Sequence, residues 1–188
     1  MPMCDLYIPE GAFAGDVESK LVKRVSDLLV EHEMRRIVDL VEDASLVRAS
    51  LERAASIAWM FVHRTDTYVA GQLSGPGTAM GPVYKFVISI PEGQIDGEFV
   101  PAINRDIMAA VHEAEDGRWP RLGARVWVHV HEILDGRWGA GGQPKSLEDI
   151  VNFVAPGYGK RAVDRWNERL DTEAVALVTR GQRSAAEA

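Results

Sequence analysis

Hydrophobic positions along this chain switch between two periods, and they do so twice. From Met3 to Ile8 the segment Met3-Cys4-Asp5-Leu6-Tyr7-Ile8 is apolar and alternating, the two-residue period of a half-buried strand. Beyond it Val17, Leu21, Val25, Leu28, Leu29 and His32 fall on one face of a helix. The segment Val83–Ile90 alternates again. Phe99, Ile103, Ile107, Val111 and Ala114 then mark one face of a second helix, with Asp96 as its candidate N-cap and Pro101 near its first turn. Each half adds a further apolar strand, Trp59–Arg64 and Trp127–Glu132.

The two halves share words as well as periods. Ile-Pro-Glu-Gly ends the first strand at Ile8–Gly11 and recurs at Ile90–Gly93, an offset of 82 residues (90 − 8). The tryptophans Trp59 and Trp127 are offset by 68 (127 − 59). The difference, 14 residues, is an insertion in the first half. It falls around residues 36–55, where Val38, Leu40, Val41, Leu46, Val47 and Leu51 predict one or two short extra helices. The chain therefore divides into a β-α-β repeat over 2–73, a second over 82–143 and a helical extension over 144–188. In that extension Val163, Trp166, Leu170, Ala174 and Leu177 share one side of a helix over roughly 161–178, and residues 180–188 are expected to fray. The tail either covers this protomer's core or binds a neighbour. The expected fold is α+β: one four-stranded sheet with two main helices on one face, and short edge strands that pair across protomers.

Composition narrows the function classes. The chain has 188 residues, 46% apolar and 26% charged, with a net charge of −7. That is globular composition, and its acidic balance argues against a general nucleic-acid surface. No apolar run approaches the ~20 residues of a spanning helix, and Met1–Asp5 is not a basic region leading into a long apolar one, so no cleaved secretory signal is expected. The single cysteine, Cys4, cannot form an internal disulfide, so a reducing, cytoplasmic setting is expected.

Pro2 is the first candidate for chemistry. Removal of Met1 would leave a proline with a free secondary amine. In an apolar pocket, desolvation disfavours the cation and tunes such an amine toward a base active near neutral pH. The alternative reading is that Pro2 merely starts the first strand, where a proline is tolerated.

A proline starting a β-α-β repeat whose first strand ends in Ile-Pro-Glu-Gly resembles the tautomerase superfamily. That superfamily includes 4-oxalocrotonate tautomerase, the chloroacrylic acid dehalogenases, malonate semialdehyde decarboxylase and macrophage migration inhibitory factor. Pro2, Glu10-Gly11, Glu92-Gly93 and the run Asp135–Gly142 carry the resemblance, which spans about residues 2–143 without the insertion. It implies a homotrimer without a cofactor, acting on a small enol or 2-keto acid, with Pro2 as general base. It also implies an isomerase first, with hydratase, dehalogenase or decarboxylase activity as variants. Glu132 matches a late-strand glutamate of the cis dehalogenase, where it activates water or polarises substrate; the other reading is a strand-end carboxylate facing water. Trp138 and Trp59 would wall the pocket.

The substrate-binding arginines depart from that pattern. Ala12 and Gln94 stand after the two Glu-Gly pairs where an arginine is common. The charge then falls to Arg137, Arg64 or Lys85, with Arg137 first because it adjoins Trp138. Tyr84 stands where a second proline would be, so one proline site per chain is expected. Stretches such as Arg35-Arg36 and Arg180–Arg183 read as solvated faces. His129 and His131, with Gly123, Asp135 and Gly142, have the spacing of a cupin metal motif. No histidine follows His131, and Trp59, Phe61 and His63 hold the equivalent face of the first repeat, so no metal is assigned. Two further function classes stay open: a non-catalytic trimeric binding or scaffold protein of the same fold, and a cupin-like metal enzyme.

Overall fold

The computed structural model describes residues 2–170 other than Glu42, together with Thr172. Met1, Ala174, Leu177 and residues 180–188, on which several expectations rest, lie outside the described residues. In chain order the elements are β1 (Met3–Ile8), α1 (Gly15–Val38), α2 (Ala44–Ser56), β2 (Trp59–Arg64), β3 (Thr67–Val69) and β4 (Gln72–Ser74). They continue with β5 (Tyr84–Pro91), α3 (Phe99–Glu115), α4 (Leu122–Arg125), β6 (Val126–Ile133), β7 (Trp138–Ala140), β8 (Gln143–Lys145) and α5 (Leu147–Val154). Residues 159–170 form a further helix, α6.

Four strands make one mixed sheet in the order β2-β1-β5-β6. Within each repeat the strands are parallel, β1 with β2 and β5 with β6, and the repeats meet antiparallel along β1 and β5. Parallel neighbours need a long crossover. Helices α1 and α2 supply it in the first repeat, α3 and α4 in the second. The alternation read from sequence sets the core: Cys4, Leu6 and Ile8 of β1 and Phe86, Ile88 and Ile90 of β5 are buried against α1 and α3. Val25, Leu28, Ile103 and Ile107 fill the helix side of that layer. His32, buried on α1, reaches Asp106 of α3 at 2.8 Å and ties the two helices together. The N-cap of α3 is Glu98, two residues beyond the expected Asp96; Asp96 lies in the turn before it, its Oδ1 accepting from the amides of Glu98 and Phe99.

The inserted stretch consists of a prolonged first helix, α1 running to Val38, followed by the single helix α2. A second apolar core forms at that end. Met34 and Ile37 of α1, Ala54 of α2 and Val151 and Val154 of α5 make its buried centre, and Val163 and Trp166 of α6 pack onto it. The tail thus covers its own protomer. Ser146 and Asp149 form a reciprocal capping box that starts α5. The opposite face of the sheet carries no helix among the described residues, and Trp59, Phe61 and Trp127 stand exposed on it. No helix among the described residues is long and apolar enough to cross a membrane.

Candidate active site

Pro2 is buried at the leading end of β1, where its carbonyl accepts a hydrogen bond from the Trp59 amide at 3.3 Å. Side chains alternate along a strand, so Pro2 shares the helix-facing side of the sheet with Cys4 and Leu6. It lies one residue beyond the Met3–Ser89 pair of β1 and β5, which brings it level with Ile90. Ile90 in turn pairs with Glu132 of β6. Two strand spacings therefore separate the Pro2 and Glu132 backbones, about 10 Å. Glu132 alternates with Val126, Val128 and Val130, so it shares the helix-facing side as well.

Glu132 has a defined partner. Its Oε1 accepts from the Gly93 amide at 2.9 Å. The neighbouring Glu92 amide donates to the Ile133 carbonyl, and Glu92 Oε2 accepts from the Asp135 amide, both at 2.8 Å. Asp135 Oδ1 then accepts from the Leu147 amide at the start of α5. The second Glu-Gly pair is thus a knot joining the ends of β5 and β6 to the tail. Gly93 sits there with φ of +89°, and a Cβ on it would come within 2.9 Å of Leu147 and 3.0 Å of Trp166.

The remaining sequence candidates separate. Arg137 and Trp138 begin the β7–β8 hairpin that follows β6; Trp138 is buried and Arg137 exposed. Trp59 touches Pro2 through the backbone only: its side chain is 57% exposed on the sheet's open face, edge-on to Phe61. Arg64 lies five residues farther along β2, about 16 Å away. There it makes a bidentate pair with Glu18 at 2.9 and 2.6 Å, which strengthens the hold on its proton. The structure therefore brings Pro2 and Glu132 to one end and one face of the sheet, turns Trp59 away and leaves Arg64 at the other end.

Arg137 and Trp138 line a cavity of about 500 Å³ along their own hairpin, and two further cavities among the described residues lie at opposite ends of the sheet. The larger, about 620 Å³, lies at the far end from Pro2 beside Tyr7, Tyr68, Lys85 and Trp127. Its floor is Tyr84, the residue matching Pro2 in the second repeat. Burial, then the charge of Glu115, pushes the Tyr84 phenol well above its usual range. Glu115 is itself locked to Arg125 in a buried bidentate pair at 2.5 and 2.6 Å. The second cavity, about 360 Å³, opens at the Pro2 end. Gly93 and Gln94 border it, with Arg35 from α1 and Arg165, Trp166 and Arg169 from α6. Sequence reasoning missed this cluster: Arg35 read as solvent-facing, and the arginines of α6 carried no motif. Gln94 in place of an arginine was the available hint.

On the open face His63 pairs with Asp5 at 2.6 Å and stacks on Tyr7, and His129 stacks on His131 at 6.4 Å. Among the described residues no group of three or more His, Cys, Asp or Glu side chains converges, so the cupin-like spacing does not assemble a ligand set. Cys4 is buried in the core, and that burial, with Asp5 beside it, pushes its thiol up to about 12. A thiol so protonated is a core residue, not a nucleophile.

No family model matches the chain. No curated protein matches it either. Solved structures do. Pt0534 inactivated by 2-oxo-3-pentynoate aligns at 17% identity with a TM-score of 0.51, over 76% of this chain and 94% of its own. A fused 4-OT, described as an asymmetric trimer, aligns at 15% identity and a TM-score of 0.50 over the same shares. A macrophage migration inhibitory factor-like protein from Entamoeba histolytica aligns at 8% identity and 0.51, over 76% of this chain and 97% of its own. The chain has the tautomerase-superfamily fold. The aligned part is about three-quarters of its length, so the shared fold does not account for the whole chain.

Proposed function

We propose that the chain is a proline-dependent tautomerase or related lyase acting on a small enol or 2-keto acid. The observation that carries this is the placement of Pro2: buried at the leading end of β1, on the helix-facing side, in this fold. Once Met1 is removed, Pro2 carries a secondary amine on a buried residue, and desolvation favours its neutral, basic form. It takes a proton from the enol oxygen or the α-carbon and returns one at another carbon. Glu132 sits at the same end of the sheet, but its bond to Gly93 makes holding the turn its first task. The working unit is proposed to be a homotrimer, the fused 4-OT being described as a trimer.

The test has two arms. 2-Oxo-3-pentynoate, which inactivates Pt0534, carries an alkyne conjugated to a ketone. A neutral secondary amine adds to it: an N–C bond forms, one alkyne π bond is lost and the amine proton ends on carbon. Peptide mapping should place one reagent on Pro2. Pro2→Ala should lower turnover of phenylenolpyruvate by about 10²-fold or more, the scale of a lost acid–base group. A mature chain that keeps Met1, or equal turnover by Pro2→Ala, would leave Pro2 as the start of a strand. The binding-protein reading would then take over.

A further inference from the structure

The cavity at the Pro2 end holds a concentration of positive charge that the net charge of the chain does not lead one to expect. Arg35 arrives from the last turns of α1, and Arg165 and Arg169 from successive turns of α6. Asp39 and Asp96 also border the cavity, so the cations exceed the anions by one (3 − 2). Asp96 is committed to α3, with its Oδ1 on the amides of Glu98 and Phe99. Arg169 is committed too, one Nη donating to the Ile95 carbonyl. Among the described residues, neither Arg35 nor Arg165 takes part in an ion pair. Between these groups the Trp166 indole forms a flat apolar wall, and the amide side chain of Gln94 is buried at the base.

These features have one chemical complement. Guanidinium forks present paired N–H donors matched to the two oxygens of a carboxylate. An indole face beside them accepts a planar apolar body. About 360 Å³ is at the small end of the range for small-molecule sites. We propose that this cavity is a binding site for a small planar organic carboxylate, gripped by Arg35 and Arg165 with its body against Trp166. Calling that carboxylate the substrate rests on the reading of the Pro2 end as the active site; its binding does not. The site is built by α6 and the prolonged end of α1. The carboxylate grip would then come from the appendage and not from the Glu-Gly turns, which hold Ala12 and Gln94.

Isothermal titration of the full chain with benzoate tests the site directly. Wild type should bind it, more weakly as salt rises, since exposed guanidinium charges are screened. Arg35→Ala/Arg165→Ala should weaken binding by about 10-fold to 100-fold, the worth of hydrogen bonds to a charged partner. Arg165→Lys should recover part of the loss. Lys160→Ala removes a cation from α6 that pairs with Asp164, away from the cavity, and should bind as wild type does. No binding by wild type at millimolar benzoate, equal affinity in the double variant, or an equal loss in Lys160→Ala would each overturn the proposal. Labelling of Pro2 by 2-oxo-3-pentynoate separates the two readings. Arginine-dependent benzoate binding without labelling keeps the site and loses the proline chemistry. Labelling with arginine-independent binding does the reverse.

Discussion

Two glycines at the same place in the repeat carry different burdens. Gly11 and Gly93 each follow the glutamate of Ile-Pro-Glu-Gly, and both have positive φ, +71° and +89°. A Cβ at Gly11 would meet only Pro76, at 4.0 Å. At Gly93 it would overlap Leu147 and Trp166. Gly11→Ala should therefore cost about 1–2 kcal/mol, the backbone penalty alone. Gly93→Ala should add an overpacking cost of about 1–3 kcal/mol. Urea unfolding of both variants checks the difference; equal losses would mean that the tail does not press on the turn. The same scale shows where sequence reading stopped. Pro2 and Glu132 enter as candidates through the family resemblance, and the strand register of the fold places them at one end of the sheet. The resemblance puts Trp59 in the pocket, whereas alternation from Met60 and Val62, which face the helices, turns it outward. Arg165 could not be read at all: nothing local distinguishes a helix arginine beside a cavity from one in solvent.

At the scale of elements, periodicity did most of the work, since the strands and helices of both repeats bury one face each and so print their period on the sequence. The extent of α1 was less legible, because apolar residues at Val38, Leu40 and Val41 suit either a new helix or a longer old one. The buried Glu115–Arg125 pair was invisible, as it joins α3 to the end of α4 beneath Tyr84. Arg125→Met should destabilise the fold by about 3–5 kcal/mol by stranding the Glu115 charge, and Arg125→Met with Glu115→Leu should regain most of that. A double variant no better than the single would locate the energy elsewhere. The start of α5 predicts a pH dependence. Hydrogen bonds from Ser146, the backbone amide first, hold the Asp149 carboxyl below its ordinary value. A lowered folded value means that the contribution is fully present above the unfolded value, about 3.9. It fades as pH falls through the folded value. Asp149→Asn should therefore flatten the acid limb of stability, seen as urea midpoints that differ from wild type at pH 5 and converge toward it near pH 2.

For the whole molecule the sheet's bare face is the deciding feature. One side of the sheet is covered by α1 and α3, while the other leaves Trp59 57%, Phe61 44% and Trp127 64% exposed. The β3–β4 hairpin adds Tyr68 and Leu73, and neither it nor β7–β8 joins the four-stranded sheet within the chain. Aromatic surface on this scale, beside strands with free edges, is the signature of a subunit contact. A stable contact must bury about 1,200–2,000 Å² in total, and a whole sheet face with two hairpins can supply that. The expected mass in solution is near three times 20.7 kDa. Trp127→Asp provides the sharper check. Its side chain points away from the α1–α3 core, so the protomer should keep its circular dichroism and unfold cooperatively. A carboxylate in an apolar subunit contact is unpaired and desolvated, a cost of several kcal/mol. The proposed trimer should accordingly dissociate at concentrations at least about 10²-fold higher than wild type requires, as sedimentation velocity would show. A wild type that stays monomeric at every concentration would mean that this face serves another partner, and a Trp127→Asp trimer as tight as wild type would move the contact to the hairpins.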